Sequence, residues 1–161
     1  MPVYSLSEIK KELKYLTPDE LRELCARLGR FKAENKILMT YELFYKEQEE
    51  TFVEHIKEEL SDSFSNINTN SYFYMKKTIR KILKQIRLFS RLSRSKSTEI
   101  ELLLFFCEEL NQLNPSIHNN KMLGNLYRRQ IEHMNKRLNS LHPDLQYDYR
   151  KMIEELKSPL K

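Results

Sequence analysis

Between Met75 and Lys96 the chain reads "MKKTIRKILKQIRLFSRLSRSK", and apolar residues return every three or four positions without a glycine or proline to interrupt them. Tyr72, Met75, Ile79, Ile82, Ile86 and Phe89 thereby fall on one face of a 3.6-residue helix. A helix this long, with one apolar stripe and a charged remainder, has to bury that stripe against other elements. The rest of the chain supplies helices rather than strands. Two glycines and two valines in 161 residues leave little for tight hairpin turns or β-branched runs, whereas Leu, Lys, Glu, Arg and Ile are abundant.

Helix starts are legible along the sequence. Ser5 with Glu8, and Thr17 with Glu20 across Pro18, have capping-box spacing, in which the hydroxyl accepts from a free backbone N–H and the glutamate reaches back. Thr98 with Glu101 repeats the spacing and is expected to open "EIELLLFFCEELNQL", apolar on nearly every side and hence the buried central helix. Gly29 is expected to end the second helix. A third helix is expected over 36–46, followed without an obvious breaker by one carrying Phe52, Val53, Ile56 and Leu60. The polar runs at 63–71 and 114–120 read as loops. Two last helices follow, over 120–140 and 144–157, with Pro159 closing the chain's final turn.

The expectation is one all-α domain spanning 1–161: seven or eight helices stacked as antiparallel hairpins in a compact irregular bundle. A short helical-repeat solenoid is the alternative, since the hairpin lengths overlap those of known repeats while no residue signature recurs. A chain of this size can bury roughly 70% of its unfolded surface, so neither metal nor disulfide is needed to hold it. Cys25 and Cys107 sit in apolar helical stretches and are expected to act as small hydrophobes. No run of 18 apolar residues and no cleavable leader is apparent, which makes a soluble cytoplasmic protein without a membrane partner the expectation.

Charge is distributed in blocks that the net +5 conceals. Residues 41–62 carry −6, 63–98 carry +9 and 99–118 carry −4. Along the basic helix, Lys77, Arg80, Lys84, Arg87, Arg91 and Arg94 form a stripe roughly 150° from the apolar one. Cations three or four positions apart repel, so an anion should relieve them. Glu50, Glu54 and Glu58 on the preceding helix fall opposite Phe52, Ile56 and Leu60 and point outward, so those acids can meet the basic stripe only at a flank. Glu101 and Glu108 could supply another flank.

Reaction chemistry is not legible. His55, His118, His133 and His142 lack zinc-site and di-iron spacing, and no glycine-rich phosphate loop can be built on Gly29 and Gly124. No catalytic residue, cofactor, metal ligand or small-molecule substrate is therefore assigned.

The segments "EIKKELKYLTPDELRELCARL", then "KKTIRKILKQIRLF" leading into "EIELLLFFCEEL", resemble a family of short all-helical bacterial proteins of unknown function, over about residues 8–113. The resemblance implies an α-helical, non-enzymatic protein and brings no ligand. A binding or scaffolding role follows, with the basic stripe facing a protein partner of acidic surface. The competing reading is sequence-independent nucleic-acid binding by the same residues, although no docking motif accompanies them.

Overall fold

Ser5 and Thr17 do cap the first two helices. In each, the hydroxyl accepts from the backbone N–H three residues on while that residue's glutamate accepts from the cap's N–H. The computed structural model describes residues 1–158. It is 80% helical, with eight α-helices and no strand among the described residues. Pro159 lies outside the described residues. The described residues fall into two compact units, Met1–Phe44 and a second that begins at Tyr45.

The first unit holds α1 (Leu6–Leu13), α2 (Pro18–Phe31) and α3 (Ala33–Thr40). Gly29 does not end α2, which continues to Phe31, and the chain turns at an extended Lys32. Gly29 instead permits close packing of α3, since a Cβ there would lie 3.1 Å from Met39 Sδ. Asn35 Nδ2 donates to Leu28 O at 2.8 Å across the same turn. Cys25 is exposed rather than packed. The expected helix over 36–46 begins and ends earlier, at Ala33 and Thr40. It passes into a π-helical turn, Tyr41–Tyr45, in which Tyr41 is buried and Leu43 and Phe44 are exposed.

The second unit contains α4 (Glu49–Ser65), α5 (Tyr72–Ser93), α6 (Lys96–Gln112), α7 (Lys121–Leu138) and α8 (Pro143–Glu155). Residues 46–48 separate α4 from the preceding turn, so the two do not run on as one helix. The polar run at 63–71 is shorter as a loop than expected. α4 continues to Ser65 because Phe64 has a core site against Phe106, ring centroids 5.7 Å apart, and Ile67 is buried as well. Burial of a large side chain outweighs the weak helix propensity of the serines around it.

Contacts along the chain fix the stacking. Glu49 meets Ser93 and Glu59 meets Gln85, so α4 and α5 run antiparallel. Glu99 meets Arg137 and Asn111 meets Tyr127, so α6 and α7 do likewise. Lys57 meets Glu101 and Phe64 meets Phe106, which makes α4 and α6 parallel. The unit is thus a compact bundle of stacked antiparallel hairpins. Its centre is α6, whose Ile100, Leu102, Phe106, Cys107 and Leu110 are at most 1% exposed.

The capping box at Thr98 and Glu101 does not form. α5 ends abruptly where Arg94 adopts a left-handed conformation, φ 57°, and Ser95 becomes the cap of α6, its Oγ accepting from Thr98 N. Thr98 is buried and donates to Glu49 at 2.6 Å, while Glu101 accepts from Tyr149 Oη at 2.8 Å and pairs with Lys57 at 3.5 Å. No helix of the described residues is long and apolar enough to cross a membrane.

Candidate functional site: a basic groove between α5 and α7

The apolar stripe of α5 is the part the core takes. Met75, Ile79, Ile82, Leu83, Ile86, Phe89 and Leu92 are buried, and this fixes which way the helix is turned. Lys77, Arg80, Lys84, Arg87, Arg91 and Arg94 are then all exposed. They are not equivalent. Arg80 and Arg87 line a groove shared with α7, Lys77 and Lys84 stand outside that groove, and Arg91 occupies the last turn. Arg94 lies beyond the helix in its left-handed cap, and Lys96, at the end of the expected basic helix, belongs to α6.

The groove has two adjoining lobes. The larger, about 550 Å³, is lined by Arg80, Leu83 and Arg87 from α5 and by Met122, Asn125, Leu126, Arg129 and Gln130 from α7. The smaller, about 380 Å³, continues over α6 between Arg87, Ser90, Arg129 and His133, with Glu99 and Leu103 on its floor. Arg87, Arg129 and Gln130 line both lobes and so mark the waist between them. On the Met122 side Lys76 Nζ lies 3.6 Å from Met122 Sδ.

The acids that could neutralise these cations from within are engaged elsewhere. Glu99 is the one carboxylate among the groove-lining residues. One of its oxygens accepts from His133 Nε2 at 2.7 Å and the other from Arg137 Nε at 2.7 Å. Glu101 serves Lys57 and Tyr149, and Glu49 accepts from Ser93 Oγ at 2.5 Å and from Thr98. Glu59 meets α5 only through the uncharged Gln85, at 3.2 Å. Glu50, Glu54, Glu58 and Glu108 are exposed. Among the described residues no ion pair involves Lys77, Arg80, Lys84, Arg87 or Arg129.

Arg129, Asn125 and Gln130 escaped the reading of the sequence. "LYRRQ" was visible, but nothing local says that Arg129 faces a helix some 40 positions earlier. That adjacency arises because both helices pack on α6.

A second polar group lies on another face of α7. Tyr127 is fully buried, its Oη donating to Leu156 O at 2.7 Å and accepting from Asn111 Nδ2 at 2.9 Å. Asn111 Oδ1 is thereby turned to His118, whose Nε2–H donates to it at 3.0 Å. Burial pushes the Tyr127 phenol up to about 12, and burial together with Arg128 holds the His118 imidazole below its ordinary value. This network ties α6, α7 and the end of α8 together. Buried Cys107 is held as the neutral thiol by loss of solvent contact, which removes its nucleophilic form. Among the described residues no group of three or more His, Cys, Asp or Glu side chains is arranged to hold a metal ion.

No family model, no curated protein and no solved structure matches this chain.

Proposed function

We propose that this chain is a binding module whose α5–α7 groove takes an acidic segment of a partner protein. The observation that carries the reading is the set of exposed, uncompensated cations, Arg80, Arg87 and Arg129 in the groove with Lys77 and Lys84 beside it, while the nearest internal carboxylates are engaged. The walls favour a protein ligand over a bare polyanion. Leu83, Met122 and Leu126 alternate with the arginines, which suits a helix that offers acidic and apolar side chains in turn. Methionine adapts its shape to such ligands at low cost.

One feature favours nucleic acid as the second reading. Phe73 and Tyr74, exposed and in edge-to-face contact at 5.5 Å, sit at the start of the basic helix, where a base could stack. Both readings are therefore put to one test. The protein is titrated with a designed amphipathic peptide bearing a glutamate stripe, and with random-sequence DNA and RNA, at about 50 and about 200 mM salt. Saturable peptide binding that survives the higher salt is expected. The triple variant R80E/R87E/R129E should weaken it by roughly two orders of magnitude without loss of helicity. Tight nucleic-acid binding at the higher salt, with no peptide binding, would overturn the protein-partner reading.

A further inference from the structure

We infer that the waist of the groove is a clamp for one phosphoryl group on the partner protein, with Arg87 and Arg129 as its two jaws. The inference rests on the groove being the binding site and adds the chemistry of the ligand at its centre. These two arginines come from helices on opposite walls, line both lobes, and take part in no ion pair among the described residues, Glu99 beneath them being held by His133 and Arg137. Their guanidinium groups are permanently charged, so the waist holds two positive charges at every accessible pH.

The neighbouring polar groups do not relieve that charge. Ser90 Oγ donates to Ile86 O at 2.8 Å, and Gln130 Nε2 donates to Leu126 O at 3.0 Å. His133 Nε2 is held by Glu99, and the other oxygen of Glu99 by Arg137. The floor is therefore fixed by its own hydrogen bonds, and the free donors are those of Arg87 and Arg129. A single carboxylate could offer each guanidinium one oxygen but would carry only one negative charge against two positive ones. A phosphomonoester carries about −1.5 to −2 charge near neutrality and three acceptor oxygens, enough to engage a guanidinium fork from each wall. The larger lobe, with Leu83, Met122 and Leu126, then takes the apolar residues beside the phosphorylated side chain, which a free phosphate ion would leave empty.

The test uses the whole chain and the designed peptide in three forms, with serine, glutamate or phosphoserine at its central position. The phosphoserine form should bind at least about tenfold tighter than the glutamate form. R87Q and R129Q should each bring it down to the glutamate level, while K151Q, on α8 and outside both lobes, leaves the advantage intact. The advantage should also shrink as pH falls through about 6, where the phosphate takes up its second proton. Equal affinity for the phosphoserine and glutamate peptides overturns the clamp and leaves the groove reading standing. So does a phosphoserine advantage that persists in both arginine variants. Binding of none of the three peptides overturns both.

Discussion

Lys84→Glu should make this protein more stable while weakening its proposed binding. Lys84 is exposed on α5 and lies three or four positions from Arg80, Lys81 and Arg87, all exposed cations. Like charges at these spacings cost roughly 0.2–0.5 kcal/mol each, and opposite charges return about the same. Removing three repulsions and creating three attractions is worth about 1–3 kcal/mol at low salt, which solvent screening of exposed groups brings toward 1. For a chain of this length that corresponds to a rise in Tm of roughly 2–4 °C. Thermal unfolding followed by circular dichroism in dilute buffer and again near 0.5 M salt would measure it. The gain should fade at high salt, and wild type should itself gain stability as salt rises. A lower Tm for the variant, or a gain indifferent to salt, would refute the claim that Lys84 and its neighbours Arg80 and Arg87 are uncompensated. A concurrent loss of peptide affinity would mean that the repulsion is retained for binding at a cost in stability.

Three further outcomes test the packing around that helix. Tyr127→Phe deletes a hydroxyl that serves both Leu156 O and Asn111, and should cost about 2–4 kcal/mol in urea unfolding with early loss of amide protection at the end of α8; wild-type stability would contradict the network. Ser95→Ala should cost about 1 kcal/mol through loss of the α6 cap, whereas Thr17→Ser should be nearly silent because serine caps as well as threonine. His118 is held neutral in the fold, so the unfolded chain binds its proton more readily. Stability should accordingly be full above the unfolded value near 6.5 and fall as the pH drops below it; His118→Gln should flatten that dependence in urea melts at about pH 7.5 and 5.5.

Local chemistry made much of the fold legible. The capping boxes at Ser5 and Thr17 form as their spacing requires, because both partners lie within one turn and no distant contact competes for them. The α5 stripe is buried from Met75 to Phe89, while Tyr72 at its start is only half-buried and donates its hydroxyl to Ser116 O; a helix with one apolar face has one way to turn it. Thr98 and Glu101 have the same spacing as the boxes that form, yet Glu49 and Tyr149 claim them, and both partners lie over 40 residues away. Phe64 kept its turn helical against a polar background through a ring contact with Phe106.

The candidate site divides in the same way. That Arg80 and Arg87 would be exposed followed from the sequence, because the opposite face of α5 had to be buried. That they share a groove with Arg129, and that Glu99 is held by His133 and Arg137 instead of by α5, was decided by how α5 and α7 both settle on α6. Periodicity sets the face a helix presents, since it depends only on residues a turn apart. Which charges meet across two faces depends on the packing of distant helices, and spacing along the chain does not encode it.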